Sequence, residues 1–428
     1  MPDIKPFRGI RYSSSGVSLQ KVVAPPYDVI SQHQQAALYD ADPHNVVRLI
    51  LGREDDPYLS AAACFQEWLR KQILLVDEAP ALYLVSQTFK GHDGTKITRR
   101  GFIAACRLQE FGQGSIFPHE KTHSGPKADR FRLFQATHAM FSQIFGLYSD
   151  PDGALNGQLS EAMIDAPAAD LLFEGVQHTM WPMSDVRRIL TMTEFLRDKR
   201  ILIADGHHRY ETALLYRDSC RFKNPLHSGK EPYNFVPMFF TNMHDPGLVI
   251  FPTHRVVHSL PDFDPVKLKG ELKKYFTMTQ CQNTAQMMTL LRNHQQHAFG
   301  VVLPDPGEVY VISAEDKDLL PRHASDPEAV SLLDVTILHS LVLKTILKIS
   351  DEQQEKKLHL RYEQDAAEAI AQLHEGRAQA AFLMNPTKIE QVRAVATAGM
   401  VMPQKSTFFY PKLLSGLVTY SFAEMPGR

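Results

Sequence analysis

The chain reads as an α/β or α+β protein with mixed sheets and packed helices. Three observations predict this. Strand-like and helix-like stretches alternate along all 428 residues, the pattern of layered sheet-and-helix architectures. Hydrophobic residues make up 44% and charged residues 22%, ordinary values for a globular chain. A chain this long buries roughly three quarters of its unfolded surface, so core size sets no limit. At about 150 residues per domain, the length suggests two or three domains.

The elements follow in order. Phe65, Leu69 and Ile73 recur at helical spacing after Pro57, which predicts a helix near 58–76. Residues 81–87 and 101–108 read as strands joined by a turn at His92-Asp93-Gly94. A helix over 127–144, a strand over 145–148 and a helix over 184–199 come next. Residues 201–204 form a short apolar strand, followed by a helix over 207–220. Residues 233–243 and 248–258 read as a strand pair around Asp245-Pro246-Gly247. Beyond them, helices are expected over 284–294, 330–347, 358–375 and 387–398, with strands over 299–303, 309–314 and 380–384. The expected domains are an N-terminal α/β domain over 1–150, a middle segment over 151–260 and a C-terminal α/β region over 261–428, with soft and potentially discontinuous boundaries. Asp150-Pro151-Asp152-Gly153 is the expected linker.

The net charge of -2 argues against a nucleic-acid coat, which needs a basic surface to neutralise phosphates. Cys64, Cys106, Cys220 and Cys281 show no CxxC spacing, so neither a disulfide framework nor a thiolate zinc site is expected. Cys106 falls inside an apolar strand and reads as core. No basic, apolar signal sequence opens the chain, and no run of about 18 uncharged apolar residues exists to span a membrane. The expected setting is the reducing cytoplasm.

Four segments carry chemistry. Asp205-Gly206-His207-His208-Arg209 follows an apolar strand and opens a helix. A helix N-terminus favours anions, Gly206 permits close approach of a ligand to the backbone, and His207, His208 and Arg209 add charge-assisted donors. The bland alternative is Asp205 as a helix cap beside surface histidines. His119-Glu120-Lys121-Thr122-His123 matches the H-E-x-x-H zinc pattern. Pro118 before it and Ser124-Gly125-Pro126 after it leave room for one helical turn at best. The segment therefore reads better as a loop where Glu120 and His119 do acid–base work while Lys121, Thr122, Lys127 and Arg130 bind phosphate. A solvated surface loop is the alternative. Lys405-Ser406-Thr407 and Lys412 resemble a phosphate loop without its glycines, and their neighbouring aromatics suit either base stacking or a core. Ala24-Pro25-Pro26-Tyr27-Asp28 reads as a rigid structural turn. Gly112-Gln113-Gly114 lacks the third glycine of a dinucleotide site.

At these residues the chain resembles the family of domain of unknown function 1015. The matching blocks are 24–31, 119–130, 205–210, 381–387 and 402–418. One departure is His123, where the family pattern expects an apolar residue; it makes the zinc-like match accidental. The resemblance extends to the ParB and sulfiredoxin-like superfamily, which includes a free-serine kinase. It implies a ParB/sulfiredoxin-like element around residues 205–209, where a loop of this kind cradles nucleotide phosphates. It also implies phosphoryl chemistry on serine or O-phosphoserine beside serine biosynthesis.

The expected activity is hydrolysis of a small phosphomonoester, with O-phosphoserine as the first candidate. Lys121, Lys127, Arg209 and Lys405 would supply positive charge. Glu120 or Asp205 would orient water, and His207 or His208 would protonate the leaving oxygen. A nucleotide-dependent free-serine kinase using ATP or ADP is the first alternative, and a nucleotide- or DNA-binding ParB-like regulator the second. A metallohydrolase built on His119 and His123 is the third. Mg²⁺ held by Asp205 or Glu120 is an open expectation.

Overall fold

Strands too apolar for any surface organise the first of two units. The computed structural model describes residues 1–91, 94–120, 124–294, 296–314, 320 and 328–424. One unit comprises Met1–Pro118, Thr122–Val249 and Pro411–Arg428, and the other His119–Lys121 and Ile250–Tyr410.

The first unit holds strands β1 (Ile4–Lys5), β2 (Leu82–Lys90), β3 (Lys96–Arg107), β4 (Ile116–Phe117), β5 (Ile144–Tyr148), β6 (Ala169–Phe173), β7 (Val176–Met183), β8 (Ile201–Asp205) and β9 (Phe235–Asn242). They form a nine-stranded sheet in the order β4-β8-β5-β9-β3-β2-β7-β6, with β1 also on β3. The sheet is mixed: β8 runs parallel to β4 and antiparallel to β5, and β9 runs parallel to β5 and antiparallel to β3. Every residue of β9 is buried, which is what an unbroken apolar run requires.

Four longer helices matter here: α1 (Pro57–Arg70), α2 (Ser124–Thr137), α3 (Val186–Leu196) and α4 (His207–Lys223). Helix α1 starts where Asp56 Oδ1 accepts from the N–H groups of Tyr58 and Leu59, at 3.1 and 2.9 Å, with Pro57 in the first turn. Its Phe65 and Trp68 join Val47, Leu49, Leu133 and Phe141 in one core cluster. Helices α2 and α4 meet through Phe134 and Tyr216, ring centroids 6.1 Å apart. The segment after Tyr410 returns to this unit. Ser415 and Thr419 each donate N–H bonds of 2.8 Å, to the carbonyls of Ala24 and Ile10, and Tyr420 pairs with Met140.

The second unit has β10 (His254–Val257), β11 (Thr277–Gln280), β12 (Ala298–Val302), β13 (Val309–Ser313), β14 (Leu360–Glu363) and β15 (Ala380–Met384). These form a six-stranded sheet, order β11-β13-β12-β15-β10-β14, with every pair antiparallel. Helices α5 (Thr284–Asn293) and α6 (Ala366–His374) bring Met287, Leu291 and Leu373 against Val256, Val311 and Leu383 of the sheet.

The expected α/β class is observed, with five local corrections. The helix expected near 58–76 ends at Arg70 and gives way to a strand at Leu74–Val76, and the helix expected over 127–144 ends at Thr137 before a strand at Ala139–Met140. Residues 233–243 and 248–258 do not pair with each other. Strand β9 has β5 and β3 on its two sides, so it offers no edge to a hairpin partner, and β10 pairs with β14 and β15 instead. The expected helix over 358–375 begins as strand β14. The helix starts only after Asp365, whose Oδ1 accepts from Ala367 N–H at 2.8 Å. The expected helix over 330–347 is broken, and Leu338–Ile346 is wound as a π-helix. His92 and Asp93 of the expected turn lie outside the described residues.

Candidate functional site

Strand β8 is apolar until its last residue. Its ladder with β5 shifts register between Ile203 and Asp205, an irregularity that re-aims the side chain following it. Gly206 then takes φ +89°, a left-handed conformation that glycine adopts without a Cβ penalty. The turn is sharp enough for α4 to begin at His207, so Gly206 rather than Asp205 occupies the N-cap position. Asp205 folds over the turn, and its Oδ1 accepts from the Gly206 N–H at 2.9 Å.

Two cations converge on the other oxygen. Lys412 Nζ lies 3.1 Å from Asp205 Oδ2, and Arg209 Nη2 lies 3.8 Å from the same atom. Arg209 is buried and lies back over Gly206, where an added Cβ would sit 3.1 Å from its Cζ. Its Nη1 donates to the carbonyl of Gln143. The guanidinium is therefore held in place before any ligand arrives. The backbone of Pro411 and Lys412 is gripped in turn by Arg99 and Gln87. Burial works against the charge on Arg99, while Asp245 and Asp205 support it.

The remaining expected residues of this unit are engaged as follows. His207 is buried and His208 half-buried on the first turn of α4. Lys127 on α2 forms an ion pair with Glu211, farther along α4. Arg130 Nη1 donates to the carbonyl of Ile50 at 2.7 Å, its Nε to Asp129 Oδ2 at 2.7 Å, and its guanidinium stacks 4.0 Å over the ring of Tyr27. Burial, then Asp28, pushes the Tyr27 phenol up to about 12, against the pull of Arg130 and Arg209. The Pro25-Pro26 turn thus brings an aromatic face into the field of Arg130 and Arg209.

The second unit joins two other blocks. His119 is fully buried, and its Nε2 lies 2.9 Å from Thr407 Oγ1. Glu120 Oε1 accepts from the Lys405 N–H at 3.0 Å, and the Met402 N–H donates to the His119 carbonyl at 2.7 Å. Lys405 has φ +55°, and the Ser406 hydroxyl donates to the Pro403 carbonyl. Of the aromatics there Phe409 is buried as core, while Tyr410, half-buried, stacks on Phe251 at 4.4 Å. Lys121, Thr122 and His123 lie outside the described residues. Among the described residues no group of three or more His, Cys, Asp or Glu is placed to hold a metal ion, and no helix is long and apolar enough to cross a membrane.

Sequence reasoning missed Gln87, Arg99 and His178 in the first unit, and Arg255 and His339 in the second. Arg255 Nη2 donates to the Lys405 carbonyl at 3.0 Å, and His339 Nε2 faces Nε and Nη2 of Arg255 at 3.2 and 3.0 Å. Burial and the charge of Arg255 push His339 well below its ordinary value, so its ring is a neutral acceptor. The sequence offered little signal for them: Gln87 stands between Ser86 and Thr88, Arg99 between Thr98 and Arg100, and Arg255 follows His254.

The model of the family described as "Protein of unknown function (DUF1015)" matches residues 4–336. No curated protein matches the chain. Among solved structures, a conserved hypothetical protein from Pyrococcus furiosus is 13% identical with a TM-score of 0.35, over 70% of this chain and 90% of that one. A free serine kinase in complex with AMP is 12% identical with a TM-score of 0.36, over 70% of this chain and 88% of that one. SbnI with a C-terminal truncation, from Staphylococcus aureus, is 13% identical with a TM-score of 0.36, over 71% of this chain and 83% of that one.

Proposed function

The chain belongs to the DUF1015 family, and we propose that it is a phosphoryl-transfer enzyme working between a nucleotide and a small hydroxyl compound, with serine and O-phosphoserine as the first pair to test. The observation that carries this reading is the convergence of positive charge at the β8–α4 turn. Arg209 and Lys412 both face Oδ2 of Asp205, and the helix N-terminus adds about half a positive charge. A phosphate arriving there would meet all three. Its oxygens would lie against Arg209, which covers Gly206, and against Lys412 and the first turn of α4. His208, half-buried on that turn, would take the proton of the attacking hydroxyl in transfer from the nucleotide and return it to the departing oxygen in the reverse direction, and His207 would shape the wall beside it.

The reading moves from hydrolysis toward transfer because both carboxylates offered for orienting water are engaged. Asp205 is held by Gly206 N–H, Lys412 and Arg209, and Glu120 accepts from the Lys405 N–H. Transfer through a loose transition state asks for positioning and positive charge more than for a strong base. Asp205, already between two cations, is a poor fit for a resident Mg²⁺, so no step is routed through one. Mg²⁺ would enter with the nucleotide phosphates.

The test is a set of parallel incubations followed by ³¹P NMR. They contain serine with ATP, O-phosphoserine with ADP, and O-phosphoserine alone, each with Mg²⁺ or EDTA. Turnover in the nucleotide lanes, lost in both Arg209→Met and Lys412→Met, supports the proposal. Phosphate released from O-phosphoserine alone would restore the hydrolytic reading. Nucleotide binding without turnover in any lane would sink the enzyme assignment and turn attention to a ParB-like regulator, which a gel shift at low salt then tests.

A further inference from the structure

His178, Gln87 and Arg99 form one row across three neighbouring strands. Gln87 on β2 is the register partner of His178 on β7 and of Arg99 on β3. All three are buried, at 2%, 1% and 0% exposure. Burying such groups costs free energy unless each finds partners.

The row has a defined polarity. Burial, then the charge of Arg99, pushes the His178 imidazole down to about 3, so the ring is neutral and its Nδ1 can accept. Gln87 Nε2 lies 3.3 Å from that nitrogen and donates to the Lys412 carbonyl at 3.0 Å. The Gln87 Oε1 accepts from Arg99 Nε at 3.1 Å, and Arg99 Nη2 donates to the Pro411 carbonyl at 2.5 Å. Two consecutive carbonyls are thus gripped at the residue whose ammonium stands beside Asp205.

We infer that Gln87 and Arg99 are positioning residues for Lys412: they fix its backbone so that its ammonium stands at the anion turn. Without that grip the Lys412 backbone is free to shift, and the ammonium at the end of its flexible four-carbon stem loses its registration with Asp205. The inference rests on the anion-site reading given under Proposed function. Its test is arranged so that the two fail differently.

Inorganic phosphate binding to the full chain is measured by calorimetry for the wild type, Gln87→Met, Lys412→Met and the double variant. Each single change is expected to weaken binding about tenfold. The double variant should bind no more weakly than Lys412→Met alone, because Gln87 acts through that ammonium. Fully additive losses, or unchanged binding in Gln87→Met beside a weakened Lys412→Met, overturn the positioning role and leave the anion site standing. Wild-type affinity in Lys412→Met, or no binding by the wild type, overturns the anion site and the positioning role together. Should Gln87→Met fail to fold, Arg99→Lys replaces it in the same cycle. That change keeps the charge but loses the planar fork that serves Gln87 and Pro411 at once, and the same outcomes decide.

Discussion

Replacing Gly206 with alanine tests the site at its tightest point. Two costs can be worked from the structure. An L-residue in the left-handed region loses roughly 1–2 kcal/mol, and Gly206 sits at φ +89°. The new Cβ would also lie 3.1 Å from Arg209 Cζ and 3.2 Å from Nε and Nη2, so the guanidinium must retreat by a few tenths of an ångström. If the retreat breaks its bond to the buried Gln143 carbonyl, a further ~1.5–3 kcal/mol is lost, as for hydrogen bonds to charged groups. Trp68 and Trp181 both lie in the first unit, so tryptophan fluorescence in urea reports that unit alone. Gly206→Ala should be destabilised by about 2.5–5 kcal/mol and should bind phosphate more weakly. In an Arg209→Met background the strain remains and the crowding disappears, so the same change should cost only about 1–2 kcal/mol. A Gly206→Ala protein within about 0.5 kcal/mol of wild type would refute both the strained turn and the seated guanidinium.

Three further outcomes are expected. His178 takes a proton near 6.5 when unfolded but only near 3 when folded. Below pH 6.5 the unfolded state therefore binds more protons, and stability falls by about 1.4 kcal/mol per pH unit. His178→Gln should flatten the urea midpoint between pH 6.5 and 5, and parallel curves for the two proteins would contradict this. Cys106 is buried and its thiol is pushed up to about 12 by burial, so iodoacetamide at pH 8 should spare it in the native protein and modify it only after urea unfolding, as peptide mass mapping can read. Thr407→Val removes the hydroxyl facing His119 Nε2 at 2.9 Å. It should destabilise the second unit by about 1–3 kcal/mol, seen as faster hydrogen exchange in strands β10 to β15, whereas Thr407→Ser should restore most of the protection.

Local chemistry was the legible part of this sequence. The strand at 201–204, the glycine after Asp205 and the helix behind it follow from neighbouring residues, so the turn could be read without knowing the fold. Lys412 was picked out by its type, but its partner was not, because the Asp205–Lys412 contact spans 207 residues. Gln87 and Arg99 reach Lys412 and Pro411 over 325 and 312 residues, and neither sits in a motif. Gln87 stands between Ser86 and Thr88 and Arg99 between Thr98 and Arg100, so nothing local sets either apart from its polar neighbours. Strand β14 was misread because four residues ahead of an amphipathic helix have no distinct period of their own. The pairing expected around Asp245-Pro246-Gly247 failed for a related reason: a turn signal says where the chain bends, and only the sheet decides which strands still have an open edge.

The order of the chain sets a schedule for synthesis. Residues 250–410 are made between the two parts that hold Asp205 and Lys412. As a ribosome builds the protein, Gln87, Arg99, His178, Asp205 and Arg209 emerge early and wait. Throughout that interval the polar row faces a place where Pro411 and Lys412 have yet to arrive, and the bridges from Ser415 to Ala24 and from Thr419 to Ile10 are equally unmade. The first unit therefore completes its hydrogen bonding only after the second unit has been translated. A chain that ends before residue 411 would keep Gln87 and Arg99 without the carbonyls they hold.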